Sequence, residues 1–299
     1  MFYRNEKLLS YIITFMKKIS CVMMVDYYHK YIKASLSINS IYNHIYLLGT
    51  SKYKSFENEN ITFVNIENYN TLEFTKKIKD NFVNFGAKDD KSEIFWLSRI
   101  PRLKQFMNDF DLDSIFMIDS DNILLFDVNN YPFSQKNALC ISKNWSPYYH
   151  AASVHSALLN QDFCDEYEKL YTDIFLNKSK FHLVKPKIEY HKNNPGGIAD
   201  MTLYYHLFSE GILSFDNLYE PKIIDGEKSV FINNFSTSEG YEYQDQYELN
   251  KGYLKIYKKN KTNYIFDKKN REYLKLLNIH YQGKAKKNLN FLLKYKLGL

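Results

Sequence analysis

Apolar residues are spaced along this 299-residue chain in two alternating rhythms. Residues 18–26 (KISCVMMVD) read as a buried strand, and a helical pattern follows through Ser37. A second apolar run at 44–48 closes on Gly49-Thr50, which completes a βαβ beginning. Residues 61–66 predict a third strand, 71–85 and 93–110 two helices, and 114–119 an apolar strand ending in acid. Further on, 138–142 predicts a strand, 156–175 an amphipathic helix, and 198–209 a helix opened by Asn193-Asn194-Pro195-Gly196-Gly197. A hairpin with arms at 252–257 and 264–266 turns around Lys-Asn-Lys, and 274–281 forms the last strand. Strands alternating with helices predict an α/β fold with a mixed, mostly parallel sheet covered by helices on both faces. The expected organisation is an extension at 1–17, one domain at 18–287 and a basic amphipathic tail at 288–299.

Charge sharpens this picture at one end only. Residues 251–299 hold 14 Lys/Arg against two acids, a net of +12, so within a total of +6 the remaining 250 residues carry −6. A basic end behind an acidic body predicts a local anionic partner such as a membrane surface or phosphate, and no nucleic-acid-binding motif accompanies it. In the tail, Leu289, Leu292 and Leu293 share one face at helical spacing, which suits either an anionic membrane surface or packing on the sheet. The apolar stretch at 11–16 is too short to span a bilayer, and three widely spaced cysteines (Cys21, Cys140, Cys164) fit a reducing compartment. The expected location is the cytoplasm, with peripheral contact at the inner face of the membrane.

The chemistry concentrates in a few places. Asp-x-Asp also occurs at Asp109/Asp111 and Asp111/Asp113, where it marks a solvated helix end. Asp119-Ser120-Asp121 differs because it lies between the apolar runs Ile115-Phe116-Met117-Ile118 and Asn122-Ile123-Leu124-Leu125-Phe126. Carboxylates emerging from a buried segment need a counter-charge, and positions i and i+2 of a strand face one side, so both can meet one hard cation. A capped strand-to-turn acidic pair is the other reading. Near the end, His280-Tyr281-Gln282-Gly283-Lys284-Ala285-Lys286 supplies an imidazole, a Gly that allows close backbone approach, and a cation six residues on. These suit a metal-bound diphosphate.

Together the two motifs resemble those of GT-A glycosyltransferases, closest to glycosyltransferase family 8 and related bacterial polysaccharide and lipopolysaccharide transferases, over residues 18–286. The resemblance implies a GT-A, Rossmann-like fold and a Mn²⁺ (or Mg²⁺) ion held by Asp119, Asp121 and His280. It implies that Lys286, the last residue of the H-x-x-G-x-x-K segment, contacts the donor diphosphate, with Gly283 of that segment and Ser120 of the acidic motif as further donor-binding positions. Pro101-Arg102-Leu103-Lys104 resembles the family's Ala-Arg-Leu-Lys, making Arg102 a donor-binding candidate. Val25-Asp26 resembles the first strand end that holds the nucleoside. Gly196-Gly197-Ile198-Ala199-Asp200-Met201-Thr202 resembles the loop beside the transferred sugar. There Gly196, Gly197 and Thr202 would line the sugar or acceptor, and Asp200 would act catalytically or serve as a first-turn acid on the helix dipole.

The implied partners are a nucleotide-sugar donor, with UDP the expected carrier, and a saccharide or glycolipid acceptor in surface-glycan synthesis (capsule or lipopolysaccharide). A retaining outcome follows from the resemblance alone. Lys287-Asn288 departs from the family's Pro-Trp, and residues 145–155 match no acceptor pattern. Two alternatives remain: a nucleotidyl- or phosphotransferase, although no Walker loop follows the first strand, and a non-catalytic nucleotide-sugar or glycan-binding protein.

Overall fold

The structure is a computed structural model, and it describes residues 18–26, 29, 31–143, 146–236 and 246–289. The extension at 1–17 and nearly all of the amphipathic tail lie outside the described residues. In chain order come β1 (Ser20–Met24), α1 (Ile32–Asn39), β2 (Ile45–Gly49), β3 (Ile61–Asn65), α2 (Glu73–Asp80), α3 (Asp90–Leu97) and α4 (Arg99–Asp109). Then follow β4 (Ser114–Ile118), β5 (Asn122–Leu124), β6 (Ala138–Ser142), β7 (Ala151–Asn160), α5 (Gln161–Tyr171), α6 (Lys185–His191), α7 (Asp200–Ser209) and β8 (Asp216–Asn217). The last part is β9 (Lys222–Ile224), β10 (Glu227–Val230), β11 (Leu249–Asn250), β12 (Tyr253–Leu254), β13 (Tyr257–Lys259), β14 (Thr262–Asp267), β15 (Glu272–Leu276) and β16 (Asn278–His280).

The main sheet has the order β3-β2-β1-β4-β7-β6-β8, and only β7 runs against its neighbours. Its central strands read as unbroken apolar runs because both faces are buried. Cys21, Met23, Phe116 and Ile118 point into one core, and Val22, Met24, Ile115 and Met117 into the other. The second core is closed by Leu103 and Phe106 of α4, Phe163 and Tyr167 of α5, and Leu203 and Leu207 of α7. The first is closed by Ile32 and Leu36 of α1 together with Ile265, Leu274 and Leu276 of a second sheet, ordered β13-β14-β15-β10-β9. The cover is thus helical on one face, and part helix, part sheet on the other.

Four expectations change. The helix expected at 156–175 begins only at Gln161, because 151–160 is the long strand β7. Leu158 and Leu159 serve opposite cores, a strand's alternation, and the Asn160 side chain then caps α5 by accepting from Phe163 N–H at 3.0 Å. The helix expected at 93–110 is two, parted at Ser98, whose hydroxyl donates to the Ile94 carbonyl at 2.6 Å. Pro101 then falls in the first turn of α4, where its missing N–H costs nothing. The last strand expected at 274–281 divides between two sheets, and that division positions the site. In the hairpin, β13 pairs with β14 across Asn260 and Lys261, both at positive φ, while the earlier arm at Tyr253–Leu254 pairs with β11.

Candidate metal and phosphate site

The site forms where β4 leaves the sheet. Asp119 N–H donates to the His155 carbonyl on β7 (3.1 Å), and the Asp119 carbonyl accepts from Asn122 N–H (3.0 Å), a tight turn that projects Asp119 and Asp121 beyond the strand. The chain then enters β5, which pairs antiparallel with β16 so that His280 stands opposite Asn122, and Tyr281 N–H donates to the Asp121 carbonyl (2.9 Å). Buried amides fix this pairing. Asn122 donates to the His155 carbonyl (2.6 Å), accepts from Asn278 Nδ2 (2.8 Å), and offers its own carbonyl to Asn39 Nδ2 (2.9 Å). Strand pairing, not proximity in sequence, brings residue 280 to residue 121.

One ligand atom from each of Asp119, Asp121 and His280 lies within 4.8 Å of the others, and the group can hold a metal ion. The donor set of two carboxylates and one imidazole suits a Mn²⁺- or Mg²⁺-like cation. His280 Nδ1 donates to the Asn233 carbonyl, which can only accept, and Nε2 faces Asp121 Oδ1 at 3.5 Å; in the ion-free site Nε2 carries a proton toward that carboxylate, and giving it up leaves the Nδ1–H imidazole with a free Nε2. That is the tautomer a metal ligand needs.

Cations already balance the acids. Burial would raise the Asp121 carboxyl, but His280 and the Lys286 ammonium, 2.8 Å from Oδ2, hold it well below the usual carboxylate range. Burial lowers His280 and Asp121 overcomes this, so its pKa is raised. Lys286 behaves likewise: burial opposes its charge, and Asp121 restores and raises it. Gly283, at φ +59, turns the chain from β16 back toward the acids so that Lys286 can return to Asp121. On the other side Arg99, buried in α4, donates to Asp119 Oδ1 (2.8 Å) and to Asp200 Oδ2 (2.6 Å), joining the acidic turn to the start of α7.

Asp26 and Arg102 line one cleft of about 560 Å³ together with Thr50, Ile66 and Phe95. Arg102 is buried, donates to Asn70 Oδ1 (3.0 Å), stacks over Phe95 (5.4 Å) and keeps Nε without a protein partner. Burial brings its guanidinium down to about 10, with Asp26 opposing, so it is charged at neutral pH. His29 stacks on Tyr31 (5.0 Å); burial and the charge of Lys286 lower its pKa, with Asp26 and Asp121 opposing. Of the residues with roles expected from the sequence, Asp119, Ser120, Asp121, Asp200, His280, Gly283 and Lys286 belong to the acidic turn and the segments that meet it, while Asp26 and Arg102 share the cleft.

Gly196, Gly197 and Thr202 lie in close contact with the protein itself. Gly196 has φ +116 and a Cβ there would strike the His191 ring at 2.6 Å, while a Cβ on Gly197 would meet the Phe85 carbonyl at 2.4 Å. Their close backbone approach is thus to protein. The Thr202 hydroxyl accepts from Lys187 Nζ (3.0 Å), which also bonds the His150 carbonyl (3.1 Å). Burial lowers Lys187 to about 8. A buried amine whose pKa falls below the unfolded value of about 10.4 costs stability when protonated, so stability rises as pH climbs from about 8 to 10. Wild type should gain on the order of 1–2 kcal/mol relative to Lys187→Met across that interval, read from denaturant melts at pH 7.5 and 9.5. A constant difference between the two proteins would refute the burial.

Arg99, Asn122 and His155 escape a reading by sequence. Arg99 stands three residues before Arg102 on the same helix, and only the fold tells which arginine meets the acids. His155 sits in a segment whose pattern imitates the approach to a helix, yet its ring stacks on His280 (4.2 Å, 14°) and its carbonyl holds the acidic turn.

No family model matches the chain, and no curated protein does. Among solved structures it is similar to the apo form of mouse xyloside xylosyltransferase 1, at 11% identity over 66% of this chain and 83% of that one (TM-score 0.44). It is also similar to the bifunctional glycosyltransferase WbbM, at 13% identity over 75% of this chain and 42% of that one (TM-score 0.40). A third is the apo form of the glycosyltransferase GlyE of Streptococcus pneumoniae TIGR4, at 14% identity, 67% and 45% coverage and a TM-score of 0.34. The chain spans less than half the length of the last two. These likenesses are distant, and the functional reading rests on the geometry above. Among the described residues no helix is long and apolar enough to cross a membrane.

Proposed function

We propose that the protein is a metal-dependent glycosyltransferase of GT-A type that moves a sugar from a nucleoside diphosphate, UDP first among them, to a saccharide hydroxyl of a surface glycan. The observation that carries this is the meeting of Asp119, Asp121 and His280 with Lys286 at the end of β4. A divalent ion there would act as a Lewis acid on the leaving diphosphate. Lys286 would exchange its bond to Asp121 for a phosphate oxygen, and Arg102, in the lining of the cleft, would bring its guanidinium charge to the nucleotide. Asp200, held by Arg99 and by the Tyr204 hydroxyl (3.1 Å), presents a fixed negative charge near the metal turn, where positive charge develops on the sugar.

Thermal shift and nucleotide release across a panel of nucleotide sugars, with and without Mn²⁺ or Mg²⁺, test the reading. One UDP-sugar is expected to stabilise the protein only with metal and to be hydrolysed slowly without acceptor. Metal-independent binding of every nucleotide, or release unaffected by EDTA, would sink it. Release of phosphate or pyrophosphate in place of the nucleoside diphosphate would favour the phosphotransferase alternative.

Within this scheme Lys286→Ala should lower turnover on the order of 100-fold and weaken UDP binding, because the leaving group loses its fixed cation. Lys284→Ala and Lys287→Ala should change either by less than about threefold, since neither has the six-residue spacing from His280. Equal losses at all three, measured by steady-state kinetics, would replace a placed cation with a diffuse basic patch.

A further inference from the structure

The second sheet has one face in the core and one in solvent, and the solvent face is unusual. On antiparallel strands the outward positions are ordinarily polar. Here they include Tyr257, Tyr264, Phe266 and Tyr273, with Tyr273 54% exposed. Tyr257 and Tyr264 face one another across β13 and β14, and Phe266 and Tyr273 across β14 and β15. Tyr257, Tyr264 and Tyr273 line an open groove of about 470 Å³ shared with Lys228, Lys259 and Glu227. Residues 251–275, which hold the hairpin and β15, carry nine Lys/Arg against two acids.

The acids of this face are engaged: Glu227 accepts from the Tyr264 hydroxyl (2.7 Å), Glu248 pairs with Lys255 (2.6 Å), and Glu272 with Lys228. Among the described residues no carboxylate pairs with Lys259 or Lys261, at the hairpin's end. The surface therefore offers apolar ring faces, phenol and carboxylate groups at their rim, and surplus positive charge. Ring faces suit the C–H-rich faces of pyranoses, and the rim suits hydroxyls. The surplus charge selects an acidic chain. Nucleic acid fits less well, because base stacking needs open parallel ring faces. These rings pack on one another at 84° and 54°, and carboxylates stand among them.

We propose that this face is a second, non-catalytic site that binds a saccharide chain bearing acidic groups. It goes beyond the transfer reaction and does not need it. β15 runs through Leu277 into β16, so Tyr273 lies seven residues from His280 and at most about 25 Å from it along the chain. A chain held on the groove can thus extend to the metal turn.

Isothermal titration of the full-length protein in EDTA, with hyaluronan decasaccharide, dextran and a ten-nucleotide oligo(dT) as probes, tests this. Hyaluronan is expected to bind with Kd on the order of 10⁻⁴ M, more weakly as salt rises, and dextran at least fivefold more weakly. Tyr273→Ser and Lys259→Glu should each weaken hyaluronan at least tenfold while leaving the thermal shift with Mn²⁺ and UDP unchanged. Lys259 is exposed, so its variant decides the matter if Tyr273→Ser does not fold. The proposal is overturned if hyaluronan does not bind at millimolar concentration, if both variants bind it as wild type does, or if oligo(dT) binds more tightly. Because the saccharide titrations are run in EDTA, their outcomes are separate from any failure of the transferase reading.

Discussion

Asp121→Ala is expected to abolish metal-dependent donor hydrolysis and transfer, by a factor on the order of 10³ or more, while the fold survives. Asp121 is the one group touched by both the imidazole and the ammonium of the site, and without it Lys286 and His280 lose the charge that places them. The fold is spared because the turn is held by backbone and amide bonds, with the Asp121 carbonyl, not its carboxylate, anchoring β16. Titration of Mn²⁺ followed by thermal shift should show saturable stabilisation in wild type and none in the variant. Full turnover in Asp121→Ala would remove the metal from this turn altogether.

The same carboxyl makes a pH prediction with a definite sign. Its folded pKa is depressed, so its contribution is present above the unfolded carboxylate value of about 3.9 and is lost as pH falls below it. Metal-free wild type should therefore lose its advantage over Asp121→Ala between about pH 4 and pH 2. A stability difference independent of pH there would mean that the ion pairs at Asp121 contribute nothing to the fold.

How much of the molecule is legible from its sequence follows from the range of the forces involved. β1, β4 and β6 are legible because strands buried on both faces must be apolar throughout, and Ala138–Ser142 falls where expected. Asp119 and Asp121 stand out because carboxylates beside Ile118 and Ile123 have to be compensated. β7 is not legible: its Ala, Ser and Leu residues have no strong strand preference and imitate a helical stripe, and only pairing with β4 and β6 makes it a strand. The division at Leu277 is hidden for a related reason. A run buried in one sheet and then another looks continuous, and the change is set by Asn278, whose side chain bonds Asn122 and the Ile232 backbone. Motif spacing can suggest that His280 and Lys286 act with Asp121, but Arg99 carries no such signature, since it acts across 20 and 101 residues at once.

Replacing Arg99 should accordingly cost more stability than any other single change in the site. Arg99→Met leaves Asp200, which is 2% exposed, without the cation 2.6 Å away, and leaves Asp119 turned toward an apolar side chain. Removing one partner of a buried ion pair costs about 3–5 kcal/mol, because the remaining charge is desolvated and uncompensated. In a chain of this size that corresponds to a fall in Tm of roughly 6–10 °C. Asp200→Asn in the Arg99→Met background should recover a good part of the loss, since the uncompensated charge is removed with its volume conserved, whereas Asp200→Asn alone should be destabilising. The double-mutant cycle thus gives a coupling of about 2 kcal/mol or more, measured by denaturant melts. Additive effects would mean that Arg99 and Asp200 are neighbours without a functional bond, and that the link from the metal turn to α7 lies elsewhere. With coupling established, Mn²⁺ affinity in Arg99→Met reports the other half of the bridge: Asp119, freed from Arg99, should still bind metal, but with its orientation no longer tied to Asp200.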